Sequence, residues 1–370
     1  PNPFIADFIR ENGTPYDEAT DDYHREPFAA DTHDDKYDKI YHFHPYHTKV
    51  PYPMIQQHIA HYTEPGDLVF DGVSGGGMTG VAAVSTKRTF YASEKDRRNV
   101  VLNDLSPFCT FLAHSALSTA SDRSGTVTQL KSVLQKAAKS TEWMFQTKHN
   151  DNVYGIINYV AWSDVFVCPS CSKEYVFWDA AVDEKSGKVA TTYVCPHCNS
   201  QLKKNDCTHS METYFDTSLR EQCVRSKQVP VLISYSVGKT RYEKKPDAND
   251  IALLKKIEDT EITEWHPTNS IPHGDETDRL FRLGITHVHQ LYTKRNLASL
   301  AIVYSLLDDP ALRFVITKVA FRITKRYGLT YQNGCWGAGG GPTNGTLDIP
   351  SLMKVLNIIN QMIECSMITY

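Results

Sequence analysis

No stretch of the 370 residues stays apolar long enough to cross a bilayer, which takes about 18 consecutive apolar residues. The best candidate, Leu297 to Leu307, is shorter and includes Ser299, Tyr304 and Ser305, so it reads as a buried helix. The opening residues do not read as a secretory leader, so none is expected, and because the chain opens on Pro1 rather than Met an upstream start is expected. Neither sign of charge dominates. The formal net charge is −4, which on its own argues neither for nor against nucleic acid. The balance is uneven, however. Residues 1–40 hold eleven Asp/Glu against four Lys/Arg, and the remainder is mildly basic. An acidic front and a basic body permit DNA contact by the body, and ordinary solvated charge is equally compatible. A disulfide scaffold is not indicated either. Of nine cysteines, four sit in two Cys-x-x-Cys pairs and five are scattered. In a long non-secreted chain that pattern favours metal, and a cytoplasmic location follows as the expectation.

What is present calls for two or three units, since the length exceeds one small core. Residues 1–40 are polar and acidic with little periodicity, which suits an extended arm. Met54 to Tyr62 reads as a short helix, Glu64 to Asp67 as a turn and Leu68 to Phe70 as a buried parallel strand. Thr79 to Ser85 opens a helix. Thr89 to Ala92 and Val100 to Leu102 are further strand candidates. Ser106 to Leu117 and Val127 to Trp143 carry helical spacing. Strand, glycine turn, helix and strand in that order open a doubly wound α/β sheet. Further on, Glu174 to Val182 and Lys188 to Val194 read as a β-hairpin. Residues 242–262 read as a charged helix, 296–307 as an apolar one, and Ser351 as the cap of a last helix from Leu352.

The segment Asp71-Gly72-Val73-Ser74-Gly75-Gly76-Gly77-Met78-Thr79-Gly80 lies between strand and helix. Glycines there let the backbone turn sharply and a ligand approach closely, next to the free amides of a helix start. Asp71 sits at the carboxyl end of the strand, where ligands bind in such sheets. Glycine-rich turns also occur as plain structure, and Gly75-x-Gly77-x-x-Gly80 fits a nicotinamide-cofactor site as well. A nucleoside site further needs an acid after the next strand for the ribose hydroxyls. Glu94 is nearer the usual spacing, but Asp104 follows the better strand and is favoured.

Around this turn the chain resembles the DNA N4-cytosine/N6-adenine methyltransferases. The matching residues are His44-Pro45-Tyr46-His47-Thr48-Lys49-Val50-Pro51, then Pro65-Gly66-Asp67, the glycine segment, and Asn103-Asp104-Leu105-Ser106-Pro107. Trp162 to Phe166, the cysteine pairs, His287 to Tyr292 and Gly339 to Pro342 resemble a subgroup with a zinc insertion. The resemblance implies a Rossmann-like class I fold that binds S-adenosyl-L-methionine. It places Thr48, Lys49, Asp71, Gly75 and Gly77 at the methionine end and Asp104 on the ribose; Thr79 belongs to the same segment. It implies methyl transfer to the exocyclic amino group of adenine or cytosine in double-stranded DNA, with the base flipped out. Gly72 and Val73 stand where the family has Pro and Phe, which puts the shape of the pocket in question. The family's Asp/Asn/Ser-Pro-Pro-aromatic segment has no counterpart, because the chain holds no Pro-Pro dipeptide. Its catalytic residues are therefore unassigned. That segment is expected downstream of Tyr370, and the chain alone is expected to be inactive. A non-catalytic homologue that keeps cofactor and DNA affinity is one rival reading. A nicotinamide-dependent oxidoreductase is the other.

Cys168-Pro169-Ser170-Cys171 and Cys195-Pro196-His197-Cys198 are the strongest local signal. Each pair makes a tight turn that aims two thiolates at one point, and two such turns complete a tetrahedral Zn²⁺ site. Four cysteines close the coordination sphere, so the metal is expected to be structural. The expected division is therefore an arm at 1–40, a Rossmann-like cofactor region at 41–160, a zinc ribbon at 161–205 and a helical or mixed region at 206–370. His287 and His289 read as core or loop residues with no carboxylate placed to help them. His42, His44 and His47 read as aromatic packing. Gly337 to Gly345 reads as a connector, and Cys109 as a buried thiol.

Overall fold

A computed structural model describes residues 5–12, 17–31, 41–44, 46, 48–85, 97–118, 123–337, 341 and 346–369. Helix α1 (Ile5–Asn12) precedes an extended, exposed stretch. That stretch runs along α2 (Tyr52–Tyr62): Tyr23 Oη donates to the Tyr62 carbonyl at 3.0 Å, and the Phe28 ring lies 4.5 Å from the His58 ring. Strand β1 (Leu68–Asp71), helix α3 (Met78–Val84), strand β2 (Asn99–Leu102) and helix α4 (Pro107–Ser118) follow. The two strands are parallel, with Asp71 opposite Leu102. Tyr52, Ile59, Met78, Val81, Leu112 and Ala116 form the buried core between α2, α3 and α4. Among the described residues this pair is the whole of the parallel sheet. The Thr89 to Ala92 strand candidate and Glu94 lie outside the described residues.

Helix α5 (Arg123–Thr141) leads into β3 (Gln146–Asn150) and β4 (Val153–Val167). The fifteen-residue β4 is the spine of a second, seven-stranded sheet. It runs unbroken through position 160, so the ribbon grows directly out of its end. Strand β5 (Glu174–Val176) returns against β4, followed by helix α6 (Phe177–Ala181). The pairs β6 (Val182–Asp183) with β7 (Lys188–Val189) and β8 (Thr192–Val194) with β9 (Gln201–Lys203) complete the ribbon. The hairpin expected over 174–194 keeps its turn as β6–β7, but residues 174–181 are β5 and α6 where one strand was expected, and Thr192–Val194 pairs onward with β9. Phe177, Trp178 and Ala181 of that turn are buried against the aromatic core over β4.

Strand β10 (Thr208–His209) pairs with β4, and β11 (Met211–Asp216) with β12 (Glu221–Ser226). Strand β13 (Gln228–Val237) pairs with β4 on one side and β14 (Thr240–Lys244) on the other. The charged helix expected from 242 therefore begins later, as α7 (Ala248–Glu258). Asp247 caps it by accepting from the Asn249 and Asp250 amides. Helices α8 (Asp278–Phe281), α9 (Lys294–Ser305) and α10 (Pro310–Ala320) follow, then β15 (Tyr331–Gln332) and β16 (Cys335–Trp336). Residues 352–356, expected to open a helix, instead form β17 (Leu352–Leu356) antiparallel to β4. A short apolar run buried on both faces carries no period that separates strand from helix. Helix α11 (Ile358–Thr369) starts after it. Its cap is Asn357, whose Oδ1 accepts the Ile359 amide at 2.9 Å, and not Ser351. The inner faces of α5, α7, α9, α10 and α11 share one apolar core. Among the described residues no helix is long and apolar enough to cross a membrane.

Candidate functional site

The loops that follow β1 and β2 are laced together by backbone. Ser74 donates its amide to the Asn103 carbonyl at 2.9 Å, and Asn103 donates its own to the Asp71 carbonyl at 2.8 Å. Asp71 folds back on its turn: Oδ1 accepts the Val73 amide at 3.1 Å and Oδ2 the Thr79 hydroxyl at 2.5 Å. Across the gap Asp104 accepts the Gly75 amide at 2.8 Å on Oδ2 and the Ser106 amide at 2.9 Å on Oδ1. The Ser106 and Gly75 amides together hold the Asp104 carboxyl below the usual aspartate range. Both carboxylates line one cleft of about 410 Å³. That is within the size range of small-molecule sites, about 300–1,000 Å³.

Thr48, Lys49, Asp71, Gly75, Thr79 and Asp104 all line this cleft. Gly77 does not. Its φ of +78° turns the chain into α3, and a Cβ there would stand 2.7 Å from the Cα of Ala113 on α4. Expected to line the pocket, Gly77 instead lets two helices pack. Gly75 also has positive φ, and the Tyr46 ring lies 3.3 Å from where its Cβ would be. Lys49 donates Nζ to the Tyr46 carbonyl at 3.1 Å and lies 4.4 Å from the Tyr41 ring centroid. Partial burial pulls its pKa down. Val73 projects into solvent at the cleft mouth with 82% of its surface exposed, so it covers little of what a Phe would cover there.

Sequence reasoning missed Tyr46, Phe108 and Cys109, which line the same cleft. Cys109 is indeed buried, and its thiol donates to the Tyr46 hydroxyl at 3.5 Å. Tyr46 stood within the matched motif, so the signal was present without a role attached. His44 packs as expected, 5.7 Å from the Phe108 ring and 5.6 Å from the Phe314 ring. Burial first, then the charges of Lys49 and Lys318, lowers its pKa to about 4. His47 lies outside the described residues.

The four cysteines converge. Cys168–Cys171 closes the β4–β5 hairpin and Cys195–Cys198 the β8–β9 hairpin, and the two turns repeat one geometry. In the first, the Ser172 amide reaches the Cys168 carbonyl at 2.8 Å; in the second, the Asn199 amide reaches the Cys195 carbonyl at 3.0 Å. Ser172 and Asn199 both take φ +59°. All four Sγ atoms lie within 4.8 Å of one another, with Cys168–Cys198 and Cys171–Cys195 both at 3.8 Å. A tetrahedron with Zn–S of about 2.3 Å has edges of about 3.8 Å, the length of those two pairs, so four thiols this close suit a zinc ion. His197 turns its Nε2 to the Glu174 carbonyl, 2.9 Å away, outside the cluster.

His289 is buried, and contrary to the expectation from sequence a carboxylate does meet it. Asp216, from β11, lies 2.9 Å from its Nε2. Burial pushes the Asp216 carboxyl up, but hydrogen bonds from His289 and Gln290 outweigh it and hold the group far below the usual range. His287 caps a short helical turn. These contacts tie β11 to the helical turn at Val288–Leu291, ahead of α9. Gly337 packs against the Tyr159 ring, while residues 338–340 and 342–345 lie outside the described residues.

The parallel pair, the glycine turn and the two carboxylates form one cleft on an α/β frame. Residues 9–102, about a quarter of the chain, match the family model described as DNA methylase, which supports the N4/N6 DNA methyltransferase family for that segment. The match begins inside the acidic stretch and ends at the last residue of β2. No curated protein and no solved structure matches the chain.

Proposed function

We propose that the cleft between β1 and β2 binds S-adenosyl-L-methionine, and that the chain is the cofactor-binding part of a DNA amino-methyltransferase acting on adenine N6 or cytosine N4. The observation that carries this reading is the facing of Asp71 and Asp104 across one cleft inside the segment that matches the DNA methylase family. Asp104, kept ionised by the two amides, offers its carboxylate to the ribose hydroxyls. Thr48, Lys49, Asp71 and Thr79 surround the methionine end, where Lys49 supplies a cation to the carboxylate. The bound cofactor supplies a sulfonium methyl that is already electrophilic, so the protein contributes position and electrostatics. The target is a base extruded from duplex DNA.

The four cysteines hold one structural Zn²⁺, which fixes two hairpins whose own core is small. Calorimetry separates this reading from a nicotinamide site. S-adenosyl-L-methionine should bind with one-to-one stoichiometry and NAD should not; binding of NAD alone overturns the assignment.

A further inference from the structure

The ribbon divides its charges unevenly. Its Glu174 is taken by Lys227 at 2.6 Å and its Glu184 by Lys245 at 2.7 Å, both cations from outside the ribbon. Asp183 is spent on its own turn, accepting the Ser186 hydroxyl at 2.6 Å and the Lys185 amide at 3.0 Å. Lys173, Lys185, Lys188, Lys203 and Lys204 are all exposed. Among the described residues none of the five has a carboxylate within ion-pairing distance. Asp179, Asp183 and Asp206 oppose them, Asp183 acting on Lys185, which leaves the lysines in excess. Exposed cations in excess of the acids around them can meet a polyanion, and their place in a groove decides which of them do.

Two of the five, Lys203 and Lys204, line a wide open groove of about 830 Å³ between the ribbon and the start of β17. Thr191, Thr192, Asn205 and Ser351 supply hydroxyl and amide groups along it, and Asp206 is its one acid. Its one aromatic side chain, Phe177, is 5% exposed, so no ring face is offered for stacking an unpaired base. Lysines and short polar donors without rings suit a sugar–phosphate backbone, which positions a duplex without reading its sequence.

We propose that this groove holds the phosphate backbone of duplex DNA through Lys203 and Lys204, a contact separate from the cofactor cleft. The inference rests on the DNA reading above. The test is fluorescence anisotropy with a labelled duplex of mixed sequence across a salt series. Lys203→Gln with Lys204→Gln should weaken binding about tenfold near physiological salt. The slope of log affinity against log salt should shrink by about 2, roughly one per lysine. Lys173→Gln with Lys185→Gln, which removes the same charge away from the groove, should leave affinity within about twofold. Zinc content, melting temperature and S-adenosyl-L-methionine binding should match the parent in both variants, since all four side chains are exposed. An unchanged groove variant overturns the proposal and leaves the methyltransferase reading standing, as does an equal loss in the control variant. Equal competition by inorganic phosphate or by an RNA duplex overturns DNA as the occupant. Failure of the parent chain to bind duplex DNA at all overturns both.

Discussion

The Asp104 carboxylate and the Gly75 amide, 29 residues apart in sequence, meet at 2.8 Å and close the cleft between β1 and β2 from one side. The bond spends one oxygen of the acid on the glycine turn and fixes the direction of the carboxylate. Asp104→Asn keeps an oxygen for Gly75 but removes the charge. Loss of a charge-assisted bond to the ribose should weaken S-adenosyl-L-methionine binding about tenfold to hundredfold. Calorimetry checks the affinity, and an unchanged melting curve excludes a folding defect.

His44 should make stability acid-sensitive. Its pKa is about 4 in the fold, against an ordinary value of about 6.5. As pH falls, the unfolded chain takes up this proton first. The contribution is therefore complete above about pH 6.5 and drains as pH falls towards 4, amounting to about 3 kcal/mol at most. Urea titrations of the parent and of His44→Gln at several pH values should converge through that window. Parallel curves would remove His44 as the source.

Gly77 and Gly66 both have positive φ, but only Gly77 is crowded. Its Cβ would stand 2.7 Å from Ala113, whereas nothing lies within 4 Å of a Cβ at Gly66. Gly77→Ala should cost about 2–4 kcal/mol, combining backbone strain with overpacking of α3 on α4. Gly66→Ala should cost about 1 kcal/mol from strain alone. Thermal melting of the two variants gives the order directly.

Removal of zinc should be felt locally. Cys195→Ser, or chelation of the parent, should abolish bound metal and open residues 168–206 to protease, because Cys168 and Cys195 are themselves buried in the aromatic core over β4. The core around α2, α3 and α4 contains no cysteine ligand, so cofactor affinity should persist. Metal analysis, limited proteolysis and calorimetry on one sample decide the matter.

The local parts of this molecule were legible in its sequence, and the parts that depend on distant partners were not. The β1–turn–α3 unit announces itself through glycines and one acid, and the two cysteine turns through their spacing. The main sheet does not, because β4 finds its neighbours far away: Asp164 lies opposite Gln228, and Ser163 opposite Leu352. Residues 352–356 spell a helix face or a buried strand equally well until β4 is alongside. Asp216 and His289 are 73 residues apart, so their pairing follows from the docking of β11 and from no motif. Tyr46 had a place in a motif, yet its contact with Gly75 depends on how the segment before α2 crosses the glycine turn.

Strand β4 joins the β3 hairpin at one end to the first cysteine turn at the other without a break. Fifteen extended residues span roughly 50 Å. The strand is paired by β13 from Ile156 to Asp164 and by β17 from Tyr159 to Ser163, with the register against β13 shifted at Asn158, where a bulge bends a strand. The cysteine turns at its tip are thereby joined to the far end of the sheet by one continuous strand, as a spoke joins rim to hub, and by no separate linker.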